Sequence, residues 1–314
     1  MPRPTSTLEE LNPDKIDRNP DNPRLIFRED EMNQLLESIR KVGIKVPLSV
    51  YQKNGRYALI DGERRWRCAK KLNLRLVPAH VQPRPTPLEN LLMMFNIHNV
   101  RVDWDPMPMA LKLGEIRAML AAKGEPTEPK ALAAVTGMRL ATVKRGFELL
   151  DLPRKYQKLL LKEAEKPRSE QKITADLFLE IYKSLHAIER HLPEALKDIS
   201  KPKYVDAMVK KYRQGVIDNV VAYREVSKIA RAELAGADRR AAVPTILRLV
   251  NERTYSIKQA YQDTVQAAYE QRDLLTKVRG LIEKLSGFGD GVHFDKETRE
   301  ALEALKSEIE RVLT

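Results

Sequence analysis

The run Asp61-Gly62-Glu63-Arg64-Arg65-Trp66-Arg67-Cys68 sets three arginines within about one helical turn of a glycine. Glycine permits a sharp turn, and a helix that begins directly after it presents unpaired backbone N–H groups to whatever lies above. Arginines at that end are disfavoured by the helix dipole unless an anion compensates them. The chemistry implied is therefore the neutralisation of several negative charges at once, as on a polyphosphate; the plain alternative is a solvated basic helix face. Cys68 lies on the same helix, towards its apolar Trp66/Ala69 side, and reads as a buried small hydrophobe rather than a reactive thiol. As the single cysteine it excludes a disulfide framework and a multi-cysteine zinc site.

The neighbouring residues supply the elements that must hold this run. Val46-Pro-Leu-Ser-Val-Tyr51, then Asn54-Gly55, then Arg56-Tyr-Ala-Leu-Ile60 reads as strand, tight turn, strand. Glu63 to Leu72 has helical spacing, with Trp66, Ala69 and Leu72 on one face. Residues 1 to about 25 are rich in Pro, Asn and Asp and read as an extended arm. Met32, Leu35, Leu36 and Ile39 predict a helix over Arg28 to Val42, before a Gly43 loop. Leu74 to Val81 is a further strand, and Pro83, Pro85 and Pro87 stiffen the connection to a helix starting near Leu88. The sum is a small α+β domain, residues 1–105.

From Pro106 onward strand signals almost vanish. Met109 to Lys123 is a helix closed by Gly124, and Glu128 to Leu150 reads as two short helices around Thr136-Gly137-Met138. Ala133, Gly137 and Val143 have helix-turn-helix spacing. Leu140, Val143, Phe147 and Leu150 are the expected buried face. Thr136, Arg139, Thr142, Lys144 and Arg145 are the expected DNA contacts, since a major-groove reader needs outward donors and cations. This segment is assigned to residues 106–168.

Three motifs in order carry a family resemblance. Gly62-Glu-Arg-Arg-Trp-Arg-Cys68 resembles the phosphate-binding motif of the ParB/RepB partition protein family, in which an alanine usually follows the last arginine. Val42-Gly-Ile-Lys-Val-Pro-Leu-Ser-Val50 is similar to its Gly-Ile-x-x-Pro-Leu-x-Val loop and strand, and Asn19-Pro-Asp-Asn-Pro-Arg24 to its Asn-Pro-x-x-Pro-Arg segment. Leu149-Leu-Asp-Leu-Pro153 matches the family's usual end to its helix-turn-helix, so the resemblance covers roughly residues 8 to 165. It implies an N-terminal ParB/sulfiredoxin-like domain that binds a nucleoside triphosphate, CTP, with Mg2+. Gly62, Glu63, Arg64, Arg65 and Arg67 would hold the phosphates, and Gly43, Ile44 and Pro47 would line the base and ribose side.

The family's second polar segment, Glu-Asn-x-Gln-Arg, helps hold magnesium through its glutamate and asparagine. Here its asparagine aligns with Asn96 or Asn99 and its arginine with Arg101. Phe95 or His98 then stands where the glutamate belongs. Loss of that carboxylate predicts nucleotide binding with slow hydrolysis at most.

Residues 169–314 read as a helical domain broken at Pro193, Pro202 and Pro244, with no catalytic motif. Leu275, Val278, Ile282 and Leu285, and then Leu302, Leu305, Ile309 and Val312, follow a 3-4-3 spacing on either side of Gly287-Phe-Gly-Asp-Gly291. Packing as a hairpin within one chain is the first expectation, and self-association into a homodimer the second. The net charge of +12 and pI near 9.6 point to an anionic partner such as double-stranded DNA. The sequence lacks an apolar run long enough to span a membrane and reads as cytoplasmic, associated with nucleoid or plasmid. The reading is a ParB-like DNA-binding protein switched by nucleotide. Two alternatives stand beside it: a metal-dependent nuclease or NTP hydrolase using Glu63, Asp103 and Asp105, and a transcriptional regulator with a structural N-terminal domain.

Overall fold

The computed structural model describes residues 6–22, 24–98, 104–289 and 291–313, the side chains of residues 97 and 98 excepted. Asn99, Arg101 and Asp103 lie outside the described residues, as does the side chain of His98. The chain divides into two compact units, residues 1–183 with 209–220 and residues 184–208 with 221–314.

The first unit begins with a five-stranded sheet. Its strands are β1 (Thr7–Leu11), β2 (Ile16–Asp17), β3 (Leu48–Lys53), β4 (Arg56–Asp61) and β5 (Val77–Gln82), in the order β1-β5-β3-β4-β2. β1/β5 and β3/β4 are antiparallel, while β3/β5 and β2/β4 are parallel. The hairpin expected around Asn54-Gly55 is present, with both residues at positive φ (51° and 74°). The leading arm, expected to be merely extended, contributes β1 and β2. Their signal was missing because β1 exposes four of its five residues and β2 is two residues long. Leu11 and Ile16 nevertheless enter the core with Leu48, Val50, Leu59, Ala69, Val77 and Ala79. The last strand starts at Val77 rather than Leu74, because Leu74 packs under the end of the preceding helix instead.

Helices α1 (Glu29–Val42) and α2 (Glu63–Lys71) pack together through Leu36, Ile39 and Cys68, with Met32, Leu35 and Leu72 around them. After α3 (Pro87–His98) come α4 (Pro106–Ala122), α5 (Pro129–Thr136), α6 (Leu140–Leu150) and α7 (Arg154–Ala164). Leu91 and Phe95 of α3 share a core with Met109, Leu113, Ile116 and Leu120 of α4, Leu132 of α5 and Val143 of α6. Each such side chain contributes about 1.5–3 kcal/mol when fully buried.

α8 (Ala175–His191) and α9 (Lys201–Arg213) each run from one unit into the other. The second unit adds α10 (Tyr223–Ala230), α11 (Arg239–Asn251), α12 (Ile257–Thr264), α13 (Gln266–Ser286) and α14 (Lys296–Leu313). Tyr204 and Ser184 share a buried hydrogen bond of 2.8 Å, and Tyr223 donates to the Met208 carbonyl. Pro244 does not break the chain: it sits inside α11, where Ala242, Thr245, Ile246 and Leu249 are buried. Tertiary burial there outweighs the proline's helix penalty of about 3 kcal/mol. The expectation that the two C-terminal stripes cover one another is also not met. Leu275, Val278, Ile282, Leu285, Leu305, Ile309 and Val312 are exposed, with Ile282 at 57% and Val312 at 66%.

Candidate functional site

Gly62 is the N-cap of α2, at φ 96°, and no side chain caps the helix. A Cβ there would lie 2.6 Å from Leu48 Cδ2 and 3.1 Å from Arg65 Nη2, so glycine is required by both conformation and space. The first intrahelical bond runs from the Trp66 N–H to the Gly62 carbonyl. The helix therefore offers its leading N–H groups beside three guanidiniums.

Those guanidiniums are not equivalent. Arg65 lies over Gly62 and donates to the Asp61 carboxylate at 2.7 Å, to the Pro47 carbonyl at 2.8 Å and to the Val46 carbonyl. It thus ties the Gly43-to-Pro47 loop to the arginine helix. That loop leaves α1 through Gly43 and is anchored by Ile44, which packs against both neighbouring apolar clusters. Arg67 makes two bonds to Glu63, at 2.6 and 2.9 Å, and lies over the Phe27 ring at 3.9 Å. Arg64 is held more loosely, donating to the Glu31 carbonyl at 3.1 Å with the Glu31 carboxylate 4.0 Å away. The structure thus brings Pro47, Gly62, Glu63, Arg64, Arg65 and Arg67 together, with Gly43 and Ile44 earlier in the same loop. Arg64 is the arginine with the weakest internal attachments.

The leading segment builds the wall beside them. Asn19 and Asn22 each accept from the backbone N–H two residues on, forming two successive Asx turns. Their amide groups then reach into the domain. Asn19 donates to the Leu59 carbonyl and to Asn90, and Asn22 donates to Glu63 at 2.7 Å. Glu63 is consequently a buried carboxylate satisfied from two sides. Neither asparagine was among the expected site residues. The repeated Asn-Pro pairs, which favour such turns, are the sequence signal that could have found them.

A second set of residues absent from the expectations lies under Arg64. Glu31 has Arg24, Arg28, Arg64 and Arg168 within 4.0 Å. Arg28 is buried, and it donates to Asp105 at 2.6 Å, to the Ala164 carbonyl at 2.9 Å and to the Lys166 carbonyl at 3.1 Å.

Asn96 is exposed on α3. Phe95 is wholly buried and meets Trp104 edge-on at 4.8 Å, so the alignment that puts Phe95 in the glutamate's place points that position into the core. The carboxylates flanking the arginine helix, Asp61 and Glu63, each carry an arginine, and Asp105 carries Arg28. Among the described residues no three of His, Cys, Asp and Glu gather as metal ligands. These donors do not fit a protein-held magnesium, which needs one or two carboxylates free to coordinate. Of the three carboxylates of the metal-nuclease alternative, Glu63 and Asp105 are held by arginines and Asp103 lies outside the described residues. Cys68 is buried, as expected, and desolvation pushes its thiol up against the opposing pull of Arg64 and Lys71, which keeps it a thiol.

In the helical segment α5 and α6 meet at Gly137, which is left-handed. The inward face of α6 is Val143, Gly146 and Leu149, whereas Leu140, expected inside, is 40% exposed at the helix start. Gly146 lets α6 close on α4: a Cβ there would meet Leu113 Cδ2 at 2.9 Å. Arg139 and Lys144 are exposed and Thr142 is half-buried. Arg145 pairs with Asp176 of α8 at 2.6 Å. Thr136 corrects its expected role: its side chain is fully buried and donates to the Leu132 carbonyl at 2.6 Å, capping α5 from within. The second unit's basic and acidic residues nearly balance, so the net +12 sits almost wholly in the unit that contains these sites.

Comparison with known proteins agrees with this geometry. Residues 3–99 match the ParB N-terminal domain. The chain is similar to a probable chromosome-partitioning protein ParB of Helicobacter pylori, 32% identical over 155 residues, covering 49% of this chain and 51% of that protein. It is 34% identical over 152 residues to the chromosome-partitioning protein ParB of Caulobacter vibrioides, covering 46% and 47%. Similarity to a nucleoid occlusion protein of Bacillus pumilus is 30% over 159 residues, covering 50% and 52%. The matched stretch thus spans about half the length of these relatives. Residues 3–99 of this chain, with Gly62 heading the arginine helix, are thus similar to the ParB N-terminal domain.

Proposed function

We propose that this protein binds double-stranded DNA through α6 and a nucleoside triphosphate at the N-terminus of α2, the nucleotide acting as the switch. The observation that carries the reading is the helix start at Gly62, uncapped by any side chain and flanked by Arg64, Arg65 and Arg67. Backbone N–H groups and a dipole aimed at one point, with cations around it, suit a polyphosphate. CTP is the first nucleotide to test, on the family resemblance of the three N-terminal motifs. Magnesium, where present, would travel with the phosphates, and turnover would be slow. The names of the relatives, partition and nucleoid occlusion proteins, support work on chromosomal or plasmid DNA. The positive charge of the first unit supports the same partner. Among the described residues no helix is long and apolar enough to cross a membrane. The exposed stripes of α13 and α14 support a homodimer.

A calorimetric screen of CTP, ATP, GTP and UTP, with and without duplex DNA, tests the reading. Saturable heat with CTP is the expected result. No heat with any nucleotide, alongside intact DNA binding, would replace it with a regulator whose N-terminal domain is structural.

A further inference from the structure

The four arginines around Glu31 come from three separate parts of the first unit. Arg24 and Arg28 precede α1, Arg64 belongs to the helix of the proposed phosphate site, and Arg168 follows α7. One carboxylate cannot satisfy four guanidiniums, and the distances show how it is shared: 3.2 Å to Arg168, 3.3 Å to Arg28, 3.8 Å to Arg24 and 4.0 Å to Arg64. Arg64 is the partner most easily taken by another anion. At the other end, Arg28 and Gln171 both donate to the carbonyls of Ala164 and Lys166, which close α7. Arg28 also grips Asp105, the residue at which α4 begins, and α4 packs on α6. Beside this junction is a small cleft whose lining includes Asp105, Arg145, Arg168, Gln171 and Asp176. The Arg145–Asp176 pair therefore sits next to the same joint.

We infer that Glu31 is a positioning residue: it is the counter-ion that a nucleotide phosphate displaces from Arg64, and it relays that displacement through Arg28 and Arg168 to the end of α7 and the start of α4. The relay rests on the proposal that α2 binds nucleotide. When phosphate takes Arg64, Glu31 is left to Arg28, Arg168 and Arg24. Closer pairing with Arg28 draws its guanidinium from Asp105 and the α7 carbonyls. Electrostatic competition of this kind is local, because partly exposed pairs are screened over about 8–10 Å at ordinary salt.

The test is Glu31→Gln in the full chain, read by CTP titration and by amide hydrogen exchange over residues 160–172. Without ligand, the variant should exchange more slowly there than wild type, because Arg28 no longer divides itself between Glu31 and the Ala164 and Lys166 carbonyls. With the competing charge gone it should bind CTP about two- to five-fold tighter, an advantage that shrinks as salt rises. CTP should alter exchange over 160–172 in wild type but not in the variant. Glu31→Asp should restore the wild-type pattern, which a simple packing role would not require. Arg168→Gln, at an exposed position, is the second variant; it should reduce the exchange response and, by leaving Glu31 more to Arg64, weaken CTP binding, the opposite of Glu31→Gln. Weaker CTP binding in Glu31→Gln, or exchange without ligand that is unchanged or faster, overturns the inference. A wild type that binds CTP while Glu31→Gln responds to it as wild type does overturns the relay alone. A wild type that binds no CTP overturns the nucleotide site and the relay with it.

Discussion

Arg65 reaches back over Gly62 to the carboxylate of Asp61, 2.7 Å away and one helical turn earlier in the chain. The pair brackets the glycine that starts α2, so the turn and the loop it holds form one unit. The arginines of this helix consequently divide into those that build the site and one available to a ligand.

Replacing Gly62 with alanine tests the turn. The left-handed backbone and the 2.6 Å approach to Leu48 predict a loss of roughly 1–3 kcal/mol from backbone strain alone. Thermal denaturation should show the loss, and CTP binding should fall with it. A variant with wild-type stability would show that the turn tolerates a side chain.

Arg64→Ala and Arg65→Ala should separate in two measurements. Removing Arg65 takes from the partly buried Asp61 its 2.7 Å ion pair, and should lower stability by roughly 1–3 kcal/mol. Removing Arg64 should leave the melting temperature near wild type but weaken CTP binding about ten-fold or more, the value of a charge-assisted contact. Identical behaviour of the two variants would refute this division of roles.

Glu163 predicts a pH dependence. Burial alone would raise its carboxyl, but the Lys166 ammonium and the backbone N–H groups of Lys172 and Ile173 outweigh burial and hold it below its ordinary value. Such a group stabilises the fold above its unfolded pKa, and that contribution disappears as pH falls through the folded value. Glu163→Gln should therefore be less stable than wild type at pH 7, with the gap closing on acidification below about pH 4.5. A gap independent of pH would mean that packing, not charge, sets the cost.

On DNA, Arg145→Ala and Thr142→Ala should weaken binding to the specific site by about 1–3 kcal/mol if they touch base edges. Lys144→Ala should weaken all duplexes alike and reduce the salt slope by about one. Because Arg145 pairs with Asp176, Asp176→Asn should tighten DNA binding. Fluorescence anisotropy over a salt series distinguishes these outcomes. Wild-type affinity in all four variants would reduce α5 and α6 to an architectural corner.

Ending the chain at Gly287 removes α14. With the apolar stripes already exposed in the single chain, the shortened protein should be monomeric in light scattering and keep the melting temperature of the first unit. A shortened protein that remains dimeric would place self-association elsewhere.

Local chemistry was legible in the sequence. The Asn54-Gly55 hairpin, the start of α2 at Gly62 and the turn at Gly137 are each set by residues within a few positions of one another. The bonds that organise the candidate site were not. Arg64 meets Glu31 across 33 positions, Arg28 meets Asp105 across 77 and the Ala164 carbonyl across 136. In a chain with 56 basic and 44 acidic side chains, no spacing rule selects those pairs. Thr136 was misread for a related reason: a threonine one turn after a leucine looks equally suited to solvent or to bonding back to the helix carbonyl. The exposed stripes of α13 and α14 show the same limit, since periodicity reports an apolar face but not what covers it.

The close contact at Gly146 bears on how such a protein can change. With no side chain between α6 and Leu113, the two helices pack closely, and any larger residue there would have to displace the Leu113 side chain. Variation is channelled to the outer rim of α6, where Arg139, Lys144 and their neighbours can be exchanged without disturbing the packing beneath. Under the DNA-reading role proposed for α6, single substitutions on that rim would change site preference without altering how the helix is mounted.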